Sequence, residues 1–138
     1  MKLQQQKYPY DCALACLATI SGREYDDLWE STKFIGIQER DLGIYGDTLD
    51  EAIEHAGFHH YKRVYTGRIE NYFLKDLLFD RIALLQVRSL NNENAKHMIV
   101  WDRNKILDPS TKQVYRFFSS IGEVDYVWIF PLEKNNGE

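Results

Sequence analysis

This chain is short of several things, and each shortage narrows what it can be. It has only two cysteines, Cys12 and Cys16, four positions apart. That leaves no disulfide framework and none of the Cys-x-x-Cys pairs of zinc and redox motifs. Two thiols on one helical turn point in directions that the helix fixes, a poor match to disulfide geometry, so both are expected to be free. No apolar run comes near the roughly 18 residues that a membrane-spanning helix needs. The opening residues, Met1-Lys2-Leu3-Gln4-Gln5-Gln6-Lys7, lack the apolar stretch of a signal peptide, and a cytoplasmic location is the expectation. Basic charge is not in excess. Against 17 Lys and Arg stand 21 Asp and Glu, a net charge of −4, which argues against a nucleic-acid partner. No internal repeat is present.

What is there fits a single globular domain. The chain has 138 residues, 44% hydrophobic and 28% charged. A domain of that size buries roughly two-thirds of its unfolded surface and needs neither staple nor metal to fold. Aromatic residues recur until the polar end, so the domain is expected over 1–132 and a frayed tail over 133–138. The charge is uneven. Between Arg23 and Gly57, ten acids face three bases, a balance of −7; the remaining fourteen bases and eleven acids give +3. The acidic segment reads as the solvated faces of two helices, and it could also attract a basic peptide or protein partner.

The first half of the chain reads as helical. Asp11 is a good N-cap, Pro9 discourages an earlier start, and the apolar run Cys12 to Ile20 predicts a buried helix stopped near Gly22. A second helix is expected over Tyr25 to Lys33. Thr48-Leu49-Asp50-Glu51 has the form of a capping box, and the stripe Leu49, Ala52, Ile53, Ala56 continues it to a stop at Gly57. A strand is predicted over Phe58 to Tyr65 and a short helix over Ile69 to Phe79. The second half reads as strands: Ile82 to Val87, His97 to Asp102, Ile106 to Asp108, Gln113 to Phe118 and Tyr126 to Phe130. Helices followed by strands give an α+β fold, a helical half packed on an antiparallel sheet.

Cys12 stands where a helix begins. Backbone N–H groups there lack intrahelical partners, and the helix dipole presents its positive end; both favour a thiolate. Cys16 lies one turn deeper and reads as a packed core thiol. A reactive thiolate needs a base. His55, His59 and His60 sit at the end of the capped helix and read as surface residues. His97 starts an apolar strand after a polar loop, a place from which a side chain reaches the edge of a cleft. If Arg103-Asn104 is a two-residue turn, Val100 faces Leu107 and Ile99 faces Asp108. His97 and Asp108 are then diagonal neighbours on one face, about 7–8 Å apart along the backbone, a gap side chains bridge. The carboxylate could hold the imidazole through Nδ1–H, or Asp108 could simply cap the turn with Pro109 and Ser110. Gln6, separated from Cys12 by five residues, could supply an amide to a developing oxyanion beside the Cys12 N–H, with Gln4 and Gln5 as competitors.

These features together resemble the papain-like cysteine peptidases that remove double-glycine leaders from bacteriocin precursors. The matching pattern is Gln6, then Asp11-Cys12 opening an apolar helix, then Gly46 to Phe58 with a helix ending in Gly57-Phe58. It continues with His97-Met98-Ile99-Val100 and Leu107-Asp108-Pro109-Ser110. It spans Gln4 to Ser110 in the family's order. The resemblance implies a papain-like fold, Cys12 as nucleophile, His97 as general base, Asp108 as the orienting acid and Gln6 as an oxyanion donor. Two positions differ: Ala13 stands where the family has glycine, and Met98 where an aromatic or branched residue is commoner.

The function expected is therefore a cysteine peptidase or isopeptidase that acts on a peptide or protein substrate without a cofactor or metal. A second reading keeps the fold without the chemistry, as a binding domain that grips a peptide in the same cleft. A third, metal binding by Cys12, Cys16 and histidines, suffers from poor ligand spacing and the absence of a second cysteine pair.

Overall fold

The computed structural model describes residues 1–5, 12–32, 46–67, 70–88, 96–110, 113–115 and 123–131. Among these residues four helices and six strands follow in order: α1 (Cys12–Ser21), α2 (Tyr25–Thr32), α3 (Gly46–His55), β1 (Lys62–Tyr65), α4 (Asn71–Leu77), β2 (Ile82–Arg88), β3 (Lys96–Asp102), β4 (Lys105–Asp108), β5 (Gln113–Tyr115) and β6 (Val124–Phe130). The strands form one sheet in the order β1-β6-β2-β3-β4-β5, each neighbouring pair antiparallel. The α+β class read from the sequence is thus the observed one.

The alternation of side chains along each strand divides the core in two. On one face Leu84, Met98, Val100, Leu107, Trp128 and Phe130 join the buried residues of α1, α2 and α3. On the other, Ala83, Leu85, Val87, Ile99, Trp101, Ile106 and Val127 pack with Leu74 and Leu78. The helical half does not lie wholly on one side, as the sequence suggests. Leu74 on α4 and Leu78 just after it cover the opposite face, and Trp101 Nε1 donates to the Leu78 carbonyl at 2.6 Å. Strands β2, β3 and β6 are covered on both faces, which explains why they read as nearly continuous apolar runs.

Helix α1 is buried from Cys12 through Thr19, as its uniform apolarity requires, and it packs directly on β3. Helix α3 ends in a Schellman arrangement. Gly57 adopts φ +104°, its N–H donates to Glu54 O, and the Phe58 N–H reaches back to Ile53 O. This fixes Phe58 against Phe130 in the core, at the point where the sequence predicts the start of a strand; the strand starts only at Lys62.

Other boundaries move as well. Helix α3 begins at Gly46, two residues ahead of the Thr48 cap. Helix α4 is limited to Asn71–Leu77, and β6 starts at Val124, two residues earlier than expected. The predicted Asp11 cap, the end of the second helix at Lys33, Ile69, the continuation of β5 over 116–118 and the tail over 133–138 lie outside the described residues.

Candidate active site

The hairpin of β3 and β4 builds half of the site. Arg103 and Asn104 form its turn, with Arg103 at φ +64°, and the register is Asp102↔Lys105, Trp101↔Ile106, Val100↔Leu107, as the two-residue turn requires. Carried one pair further, that register makes Asp108 the diagonal neighbour of His97. The two side chains meet: His97 Nε2 lies 2.9 Å from Asp108 Oδ1. The nitrogen involved is Nε2 and not the Nδ1 expected from the sequence, so Nδ1 is left on the other side of the ring. Asp108 also does what its alternative reading proposed. Its Oδ1 accepts from the Ser110 N–H at 2.9 Å and from Ser110 Oγ at 2.7 Å, closing the turn across Pro109. Ser110 is thus a part of the arrangement whose role as a donor the sequence signalled only through turn chemistry.

The other half comes from the first turn of α1. Cys12 is buried at 4% exposure, and its sulfur accepts the backbone N–H of Met98 at 3.4 Å. It also lies close enough to the His97 side chain to favour the imidazolium. Cys12, His97 and Asp108 are therefore brought together from a helix and a hairpin that are far apart in sequence, with His97 bonded to Asp108 and Cys12 bonded to the N–H of the residue next to His97. The His97 side chain keeps 22% of its surface exposed and that of Asp108 13%, so the chain of contacts is largely removed from water without being sealed.

The electrostatics follow from this geometry. Burial alone would depress the His97 pKa, but the bond to Asp108 and the nearness of Cys12 outweigh it and push the imidazole up to about 10. Burial would raise the Asp108 carboxyl, yet the donors His97 and Ser110 hold it below the usual carboxylate value. At neutral pH the pair is an imidazolium and a carboxylate. Cys16 behaves differently. It is completely buried, its thiol donates to the Met98 carbonyl at 3.3 Å, and desolvation, with the nearby Cys12 and Asp108 adding to it, raises its pKa well above the ordinary thiol value.

Of the candidate oxyanion donors, Gln6 lies outside the described residues. Gln4 does not compete. Its amide donates to Ala18 O at 3.2 Å and Arg23 O at 2.6 Å, and its Oε1 accepts the Tyr25 N–H at 3.0 Å. All three partners lie at the far end of α1 from Cys12. Gln5 is exposed. His55, His59 and His60 are exposed at and beyond the end of α3. Among the described residues no three His, Cys, Asp or Glu side chains converge in a metal-binding cluster. A groove of about 430 Å³ runs along the β1 edge between His60, Lys62, Leu77 and Ile129, and it includes none of the three site residues. No protein-family model matches the chain, and no curated protein matches it either.

Proposed function

We propose that this protein is a thiol hydrolase of papain-like architecture that cleaves a peptide or isopeptide bond through Cys12, His97 and Asp108. The observation that carries the reading is the placing of the Cys12 sulfur on the Met98 N–H at 3.4 Å, beside a His97 ring whose other side is held by Asp108 Oδ1 at 2.9 Å. Hydrogen-bonded reach between nucleophile and base, with a third group orienting the base, is the signature of an activated nucleophile. The nucleophile helix packed on the antiparallel strand that bears the base, and the order Gln6, Cys12, His97, Asp108 along the chain, are the further supports. They are the features by which the sequence resembles the bacteriocin leader peptidases.

In this reading Cys12 reacts as the thiolate beside the His97 imidazolium. The Cys12 sulfur attacks the carbonyl carbon, a C–S bond forms, and the carbonyl electrons move to oxygen. The Cys12 N–H, which has no helical partner, and the Gln6 amide receive that oxyanion. His97 gives its proton to the leaving nitrogen as the C–N bond breaks, leaving a thioester. Water then attacks the thioester and passes a proton to His97. The C–S bond breaks, the acid leaves, and the ion pair is restored. Asp108 stays ionised throughout, holding the ring and balancing its charge.

Iodoacetamide at neutral pH, followed by mapping of the modified residue, tests the chemistry without requiring a substrate. Fast, selective labelling of Cys12 is expected, with Cys16 inert inside the core. Equal and slow labelling of both thiols would reject the hydrolase and favour the peptide-gripping domain. With a cleavable substrate in hand, Cys12→Ala should abolish turnover and Gln6→Ala should slow it about 10²- to 10³-fold.

A further inference from the structure

The proposed chemistry leaves the second buried thiol, Cys16, without a task, yet it makes a polar contact to the strand that carries the base. Both backbone groups of a single residue, Met98, are taken by thiols. Its N–H goes to Cys12 Sγ at 3.4 Å, and its carbonyl accepts from Cys16 Sγ at 3.3 Å. The register explains why they are free to do so. Asp102 and Lys105 close the two-residue hairpin, and alternate β3 residues beyond them, Val100 and then Met98, turn their N–H and C=O toward β4. Continued past Val100↔Leu107, the pairing would set Met98 opposite Pro109. Proline has no N–H to give, and the ladder stops at Leu107. The buried Met98 carbonyl has to find another donor, and α1 brings one.

We infer that Cys16 is a positioning residue: by donating to the Met98 carbonyl it fixes the height of α1 against β3 and so holds the Cys12 sulfur within reach of the His97 ring. The inference rests on the hydrolase reading for its consequence, but the contact itself does not. Cys12 and Cys16 lie one turn apart on α1, and they grip two atoms of one residue adjacent to His97. A slip of one residue along the helix axis would carry the sulfur about 1.5 Å away. The elevated pKa of Cys16 suits the task, because a thiol that stays protonated remains a donor and does not compete as a nucleophile.

Two substitutions separate donation from packing. Cys16→Val fills the space without a donor, and Cys16→Ser donates through a smaller hydroxyl. Two quantities are read in the intact protein: the rate of Cys12 alkylation by iodoacetamide as a function of pH, and the titration of the His97 imidazole by NMR. Cys16→Val should slow Cys12 alkylation about ten- to a hundredfold, the scale of an ångström-sized misplacement. It should also bring the His97 titration down from about 10 as Cys12 moves away from the ring. Cys16→Ser should keep both close to the wild-type values. A folded Cys16→Val with wild-type alkylation and an unmoved His97 overturns the inference, and so does a serine variant as impaired as the valine one, since packing alone would then be the cause. If Cys16→Val does not fold, Cys16→Ala takes its place with the same readouts. A wild-type Cys12 that is not selectively alkylated defeats the hydrolase reading, while the His97 titration still decides whether Cys16 positions α1.

Discussion

One carboxylate oxygen, Asp108 Oδ1, accepts from His97, from the Ser110 N–H and from Ser110 Oγ, and so joins the turn to the site. The linkage has a sign. His97 titrates higher folded than its ordinary 6.5, so its contribution to stability is complete below that value and is lost as pH rises through about 10. Asp108 titrates lower folded than its ordinary 3.8, so its contribution holds above that value and is lost as pH falls through its folded pKa. These are two views of one ion pair, which stabilises the fold most between about pH 4 and 6.5. Urea unfolding of the wild type should therefore show a loss of stability from about pH 7 to 10 that Asp108→Asn largely lacks. On the proposed mechanism, in which Asp108 orients the ring and does not react, the same substitution should slow Cys12 alkylation yet leave a measurable rate. An unchanged pH dependence in Asp108→Asn would show that the pair contributes nothing to folding.

At the scale of elements, the first few residues hold α1 from behind. The Gln4 amide joins the end of α1, the connecting residue Arg23 and the first N–H of α2, while the Gln4 N–H binds Thr19 Oγ1 at 2.9 Å. Removing the amide takes away its bonds to the Ala18 and Arg23 carbonyls and to the Tyr25 N–H. Gln4→Ala should cost about 1–3 kcal/mol in urea unfolding and leave the Cys12 alkylation rate nearly unchanged. The sequence offers Gln4 only as a competitor for Gln6. Its actual role depends on the chain folding back along α1, which no local pattern encodes. The hairpin, by contrast, is legible in the sequence: a two-residue turn and a period of two are local rules, and they suffice to put His97 and Asp108 on one face. The nitrogen that faces Asp108 is not legible, since the orientation of an imidazole is set by what lies on its other side.

Across the whole molecule, Asp50 ties the helical layer to the far end of the sheet. Its Oδ1 accepts from Trp128 Nε1 at 3.0 Å and its Oδ2 from Arg63 at 3.0 Å, while Arg63 stacks over the Tyr126 and Trp128 rings. Much of the acidic segment keeps its expected character, with Asp26, Asp27, Glu30, Glu51 and Glu54 exposed on α2 and α3. Asp50 departs from it because its place on α3 faces a buried indole. Asp50→Asn keeps an acceptor for Trp128 and loses only a partly exposed ion pair, a change of about 0–1 kcal/mol. Asp50→Ala strands the indole N–H and should cost about 1–3 kcal/mol more. Equal losses in the two variants, measured by urea unfolding, would show that the indole bond carries no weight.

The α+β class, the buried first helix, the glycine stop of α3 and the register of the hairpin are all written in the sequence, because each follows from periodicity, capping or turn chemistry within a few residues. Cys12, His97 and Asp108 stand out there too, the last two through the rules of a single hairpin. That the first turn of α1 lands on Met98 is a matter of tertiary packing. The contact joins residues 12 and 98, and it depends on a proline ending one strand so that two thiols can take over the hydrogen bonds of another.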